Sequence, residues 1–331
     1  MLSLGIAAAR RTPPDRRGER PIRYTLFGGR IGAATRIEYL RLLADFGVWI
    51  AAAPLPARLL SRLGARSMSS RYQRWWARGL SRAIGMRLDI TGLEHVGDEA
   101  YIVTPLHEGL ADALALLHLP LPLRFVLRDE FVDWRPLGGF LRDTGQILIR
   151  PENGLHAYRT IVRDARASLE RGESVVICPQ GTILGVETAF QPGAFAMAGA
   201  LGCPILPVVL TGTHRVWEFP FSPRLRRGVL VSVQVLPPIS AAEVRALGRD
   251  DLRTEVQQRL KSAALDGTRV PPRRYIPARD GYWDGFAFDI DPAFPELADD
   301  LETHREEMAP PDDSPRLAAS AEPQPNSGAS R

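Results

Sequence analysis

The sequence predicts an α/β fold: a mostly parallel central sheet with helices on both faces, preceded by an N-terminal two-helix motif. Three observations carry that expectation. From residue 87 onward, short β-branched runs alternate with amphipathic stretches of helical period. The clearest such stretch, "GLHAYRTIVRDARASLERG" at 154–172, repeats Leu155, Tyr158, Ile161, Val162, Ala165 and Leu169 at helical spacing. The chain has 331 residues, 45% of them apolar and 24% charged, which suits one large domain or two small ones with a sizeable core.

The strands are expected at "RLDITG" (87–92), "YIVTPL" (101–106), "RFVLRD" (124–129), "QILIR" (146–150), "SVVICP" (174–179), "PILPVVLTG" (204–212) and "VLVSVQVL" (229–236). Between them, helices are expected at 110–118, 136–143, 154–171 and 193–201. Asn153 can cap the third of these helices and Gly172 follows its end. "SAAE" at 240–243 is a capping-box signal for a last helix running to about residue 264. These elements make up an expected domain at 87–268. Residues 269–331 read as a linker followed by an acidic, largely disordered tail, although "GYWDGFAFDIDPAF" carries enough aromatics to dock.

Ahead of the sheet, residues 1–36 read as a basic disordered arm and 37–86 as a helical motif broken at "PLP" (54–56). The uncharged segment "FGVWIAAAPLPA" (46–57) is 12 residues long with two prolines. Spanning a bilayer takes roughly 20 apolar residues, so the segment suits lying in a membrane interface rather than crossing it. "SRYQRWWARGLSRAIG" interleaves Arg and Trp, which fits an interface helix, while Trp75 and Trp76 also suit packing between helices. Paired arginines in "AARRTPP" are not followed by an apolar stretch, so no leader is expected. The expected location is the cytoplasmic face of a membrane, peripheral or monotopic.

The formal charge of +4 hides an asymmetry. Residues 1–90 carry 17 Arg against 5 Asp and Glu, and residues 280–331 carry 3 Arg against 13 Asp and Glu. The basic end suits anionic lipid head groups or phosphates, or else is a solvated arm. No nucleic-acid motif accompanies it, so nucleic acid is not an expected partner. Cys178 and Cys203 lack metal or redox spacing and read as reduced, packed thiols; no base adjoins Cys178 in sequence.

The chemistry centres on "PLHEGLADALAL" (105–116). In a continuous helix His107 and Asp112 would lie about 140° apart and face away from each other. They meet only if the strand ends near Leu106 and the helix starts after a bend, which Gly109 would allow. Asp112 in the first helical turn could then hold one imidazole nitrogen and leave the other as a proton acceptor. "HE" opens an HExxH zinc pattern, but Ala111 stands where the second His belongs, so no metal is expected. Taken alone, His107 reads more readily as a helix-capping residue than as a base.

Later segments add to it. "CPQGT" (178–182) is a strand ending in a Pro-x-Gly turn whose backbone N–H groups, at Gly181 and Thr182, can face an oxyanion or a phosphate. Arg150 ends a strand on the same sheet edge as His107 and Gly181, the edge where open α/β folds bind ligands. In order, His107-x4-Asp112, Gly145 to Arg150, Cys178-Pro179-Gln180-Gly181-Thr182-Ile183, and a strand with Pro204 and Pro207 resemble the four motifs of the glycerolipid acyltransferase family, typified by lysophosphatidic acid acyltransferases. The resemblance covers roughly residues 85–240.

The resemblance implies transfer of a fatty acyl group from acyl-CoA or acyl-carrier protein to an acceptor hydroxyl. His107 would be the base and Asp112 its orienting partner, with no acyl-enzyme, no cofactor and no metal. Arg150 would pair with the acceptor's phosphate, and membrane lipids would supply that acceptor. The third motif departs from the family's Phe-Pro-Glu-Gly-Thr-Arg: the acid is Gln180 and the arginine is Ile183, positions that help hold the acceptor's head group. Gly109 replaces a small hydroxyl residue. Arg128 is either a compensating cation or a surface partner of Asp129 or Glu130. Two alternatives stay open: a non-catalytic or hydrolytic relative with an eroded acceptor site, and a peripheral lipid-binding protein.

Overall fold

The structure, a computed structural model, describes residues 22–25, 31–45, 55–133, 137–150, 153–217, 226–266, 269–276 and 288–308. All seven expected strands form one sheet: β3 (Arg87–Thr91), β4 (Ile102–Pro105), β5 (Leu123–Arg128), β6 (Ile147–Ile149), β7 (Ser174–Val176), β8 (Ile205–Thr211) and β9 (Leu230–Val235). Their order is β3-β9-β8-β4-β7-β5-β6, so the strand carrying His107 at its end is central. Neighbours from β8 to β6 are parallel, whereas β9 runs antiparallel to β8 and parallel to β3.

Adjacent residues of each buried strand feed opposite layers, as the pleat requires. Val103, Val176, Val208 and Val233 pack against α3 (Arg66–Ala83) and α4 (Asp112–Leu116) through Ala77, Leu80, Ala115 and Leu116. On the other face, Ile102, Val175, Ile205 and Val209 meet α6 (Leu155–Leu169), α7 (Gly193–Leu201) and α9 (Arg249–Asp266). Both faces are therefore covered. Within α6 the inward residues are Ala157, Ile161, Ala165 and Ser168; Leu155 is exposed. Gly154, not Asn153, occupies the cap position, with no side-chain cap bond.

The capping box appears as read: Ser240 Oγ accepts from Glu243 N, and Glu243 Oε2 accepts from Ser240 N at 2.8 Å. The helix it starts, α8 (Ala241–Ala246), stops early because Leu247 is extended, and α9 begins afresh at Arg249.

The N-terminal elements differ from expectation. The arm read as disordered contains an antiparallel pair, β1 (Ile22–Thr25) and β2 (Ile31–Ala34). Three helices follow: α1 (Arg36–Asp45), α2 (Leu55–Arg62) and α3. The expected break at "PLP" lies partly outside the described residues; α2 starts within it, with Pro56 in the first turn, where its missing N–H costs nothing. A further break falls at Leu63–Ala65, where Gly64 takes a positive φ of 77°. Most of "FGVWIAAAPLPA" lies outside the described residues. Trp76 packs on Phe140 with ring centroids 6.3 Å apart, and Trp75 is exposed. Among the described residues, no helix is long and apolar enough to cross a membrane.

The segment read as a linker and tail is in part structural. Tyr275, Phe288, Ile290 and Leu301 form a small core with Leu184, and Ile183 packs against it. The only lysine, Lys261, donates to Asp291 Oδ2 at 2.5 Å and to the Thr188 carbonyl at 2.9 Å. A helix, α10 (Pro295–Met308), follows.

Candidate active site

β4 ends at Pro105 and α4 starts at Asp112, so His107 lies on the connecting turn at the carboxyl edge of the sheet. His107 Nδ1 and Asp112 Oδ2 are 2.6 Å apart. Asp112 Oδ2 also accepts from Glu108 N at 2.9 Å and Gly109 N at 3.2 Å, and Oδ1 accepts from the Thr213 hydroxyl. An acceptor so fully used fixes the proton on Nδ1 and leaves Nε2 as the basic nitrogen. Burial by itself would lower the His107 pKa. Interactions with Cys178 and with Asp112 outweigh it and hold the pKa well above the ordinary value of 6.5.

Gly109 does not take a left-handed φ, so the turn needs no glycine for its backbone. Its role is proximity: a Cβ there would come within 3.3 Å of His214 Cα and 3.7 Å of the Trp217 carbonyl. That close approach of the 212–217 loop explains why no hydroxyl side chain stands at this position. The approach also brings in Thr213, which the sequence reading missed although it follows the fourth motif directly. Glu108, buried beside the base, accepts from Gly212 N (2.6 Å), His214 Nδ1 (2.9 Å) and Arg273 N (2.6 Å). It ties the turn to the 212–214 loop and to Arg273. Among the described residues no three His, Cys, Asp or Glu side chains gather to hold a metal ion.

His107 borders a cavity of about 630 Å³. Its walls are mainly apolar, with Leu116, Phe125, Leu127, Phe131, Tyr158 and Ile161 among them. Pro192, Gly193 and Ala194, at the start of α7, also line it, so a helix N-terminus with its partial positive charge adjoins the cavity.

The expected site residues divide. Gly181 and Thr182 line the cavity. Gly181 takes φ +69°, and its N–H is bonded to the Cys178 carbonyl at 3.1 Å, closing the turn. It is therefore not the oxyanion donor that the Pro-x-Gly turn suggested. Thr182, next in line, has no hydrogen bond from its N–H or hydroxyl to any described residue.

Gln180 is not at the acceptor surface. It is completely buried; Oε1 accepts from His107 N at 2.6 Å and Nε2 donates to the Gly185 carbonyl at 2.6 Å. The amide has a donor and an acceptor end, and this geometry uses both. Ile183 joins the apolar contact with the C-terminal segment, which accounts for the loss of a charge there.

The two arginines stand in different places. Arg150 is exposed, ion-paired with Asp129, and is not among the cavity-lining residues. Arg128 lines the cavity. Arg128 is the register partner of Ile149, which also lines the cavity, whereas Arg150 follows the end of the edge strand.

A parallel α/β sheet that presents a carboxylate-steadied imidazole over an apolar cavity defines a class of acyl-transfer domain. The comparisons agree. The acyltransferase family model matches residues 87–211. Over 166 residues the chain is 31% identical to the 1-acyl-sn-glycerol-3-phosphate acyltransferase of Escherichia coli (strain K12), covering 49% of this chain and 64% of that protein. It is 30% identical over 161 residues to the enzyme of the same name from Limnanthes alba, covering 47% and 56%. The chain thus spans between half and two thirds of these relatives' length. The crystal structure of the 1-acyl-sn-glycerophosphate acyltransferase PlsC from Thermotoga maritima shares the fold, with a TM-score of 0.58 at 18% identity over 69% of this chain and 93% of that one. Residues 87–211 thus match the acyltransferase family model, and these similarities support a lysophosphatidic acid acyltransferase-like glycerolipid acyltransferase family for the chain.

Proposed function

We propose that this chain transfers a fatty acyl group from a thioester, acyl-CoA or acyl-carrier protein, to the hydroxyl of a lyso-glycerophospholipid. The observation that carries the reading is the His107–Asp112 pair set at an apolar cavity. Nε2 of His107 takes the acceptor's hydroxyl proton as the oxygen attacks the thioester carbonyl. Asp112 stabilises the imidazolium that forms. The N–H and hydroxyl of Thr182 hold the tetrahedral oxyanion. As that intermediate collapses, the thiol leaves with the proton from His107, so neither an acyl-enzyme nor a cofactor or metal is required. Arg128 pairs with the acceptor's phosphate. Each methylene of the acyl chain buried in the cavity contributes about 0.8 kcal/mol to binding.

The location proposed is the cytoplasmic face of a membrane, peripheral or monotopic. Leu55, Leu59 and Leu63 recur every four residues along and just past α2 and are exposed, as are Met68 and Trp75 on α3. Arg66, Arg71, Arg78 and Arg82 on α3 are exposed beside them. Apolar side chains among cations suit an anionic lipid surface.

The alternative of an eroded, non-catalytic site is disfavoured by Gln180. The amide is fully bonded here, accepting from the His107 backbone as an acid could and donating to the Gly185 carbonyl. The test is to incubate the protein with labelled acyl-CoA and a panel of lyso-lipids and read the products by mass spectrometry. A diacyl product from a phosphate-bearing acceptor is expected; free fatty acid alone would favour a hydrolase.

A further inference from the structure

Glu108 directly follows the proposed base, yet it is buried and is not among the residues that line the cavity. Three donors converge on its side chain. Gly212 N and His214 Nδ1 reach Oε2 at 2.6 and 2.9 Å, and Arg273 N reaches Oε1 at 2.6 Å. A buried carboxylate is costly unless its oxygens are satisfied, and here both are. The donors come from 104 to 165 positions away in sequence, so only the fold brings them together.

This arrangement sets Glu108 at both ends of the Asp112 carboxylate. Its backbone N–H donates to Asp112 Oδ2 at 2.9 Å. Its side chain holds Gly212 and His214, the residues on either side of Thr213, and the Thr213 hydroxyl donates to Asp112 Oδ1. The third donor closes a ring. The Arg273 carbonyl accepts from Val186 N at 2.9 Å, and Val186 follows Gly185, whose carbonyl accepts from Gln180 Nε2. Gln180 Oε1 in turn accepts from His107 N, next to Glu108. The base turn, the loop after β8 and the C-terminal segment are fastened at one carboxylate.

We propose that Glu108 is a positioning residue for acyl transfer, one that pins both oxygens of Asp112 and through them aligns the His107 imidazole. The inference rests on the acyl-transfer reading of the site. With Oδ1 released, the Asp112 carboxylate can turn about its Cβ–Cγ bond, and the bond to Nδ1 bends. Hydrogen bonds weaken steeply as they bend, and a misplacement on the order of 1 Å costs an enzyme up to ~100-fold in rate.

The test variant is Glu108→Gln, whose amide offers one acceptor where three donors converge. Whichever way it turns, its NH2 meets the N–H of Gly212 or of Arg273. The full chain is assayed for transfer from acyl-CoA to lysophosphatidic acid, well below Tm. The kcat should fall ~10- to 100-fold while KM for either substrate stays within about 3-fold. In an Asp112→Ala background, where no carboxylate remains to be held, the same change should lower kcat by less than about 3-fold. An unchanged kcat in Glu108→Gln, or an equal loss with and without the Asp112 carboxylate, would overturn the proposal. Should Glu108→Gln fail to fold, His214→Ala removes one donor and His214→Asn returns an amide N–H near the place of Nδ1. Loss with Ala and recovery with Asn are expected; equal rates for the two would refute the role. A readout without turnover separates this inference from the functional one. The low-field proton resonance of His107 Nδ1–H, assigned by its loss in His107→Asn, should be sharp in the parent chain and broadened in Glu108→Gln. A resonance missing from the parent, or unchanged in the variant, would contradict the hold of Glu108 on the base. A parent chain that forms no diacyl product fails the acyl-transfer reading alone, and the resonance still decides whether Glu108 positions the imidazole.

Discussion

Replacing Asp112 with Asn removes a charge and leaves the shape of the turn in place. The carboxylate takes three donors on Oδ2 and the Thr213 hydroxyl on Oδ1. An asparagine can point its oxygen at the three donors and its amide nitrogen at Thr213, whose hydroxyl can turn to accept. The hydrogen bonds then survive and the loss is electrostatic. A charge-assisted hydrogen bond to an imidazolium exceeds a neutral one by ~1–2 kcal/mol, and in a site this buried a total of ~2–4 kcal/mol is expected. That lowers kcat about 30- to 1,000-fold with little change in Tm. The assay is the release of CoA thiol during transfer to a lyso-lipid, run across pH. The base works only when neutral, so the wild-type rate should rise with pH through a His107 pKa held above 6.5. Without the carboxylate that rise should move to lower pH. A kcat within about 3-fold of wild type at every pH, with an unmoved acid limb, would refute the orienting role of Asp112.

Arg128→Ala should raise KM for a phosphate-bearing acceptor ~10- to 100-fold, whereas Arg150→Ala, which removes the exposed pair with Asp129, should change it by less than about 3-fold. The reverse ranking in steady-state kinetics would restore the phosphate to Arg150. Burial, together with Arg78, lowers the His118 pKa to about 4. The unfolded chain therefore binds a proton that the folded one refuses between about pH 6.5 and 4, and folding should lose ~2 kcal/mol across that window as pH falls. Thermal melts of His118→Gln should show a flatter acid limb, and an unchanged limb would reject the assignment. Leu59→Glu and Trp75→Glu alter exposed side chains, so the fold should hold while sedimentation with anionic vesicles falls ~10-fold or more. Undiminished sedimentation would place the membrane contact elsewhere.

How much of this was legible in the chain can be seen at particular residues. The seven strands were readable because buried parallel strands are short β-branched runs, and α8's start because its capping box is local. The His107–Asp112 contact was readable because five residues and a bend suffice to make it. Thr213, Glu108 and Arg273 were not, because their contacts join positions more than 100 residues apart and no periodicity encodes them. Arg150, expected at the ligand edge, is exposed and outside the cavity lining, because the direction of a side chain just past a three-residue edge strand is not written in local sequence. Gln180 and Ile183 read as losses because motif comparison records which residue is absent; the structure records what the replacements touch.

The central claim is that His107 is the base for acyl transfer. The most direct test is His107→Ala, compared with wild type for diacyl product formed from acyl-CoA and lysophosphatidic acid, with circular dichroism and Tm confirming the fold. The account predicts a loss of at least ~100-fold in kcat, in a protein that melts as the parent does. Product formed at the parental rate by the folded variant would contradict it.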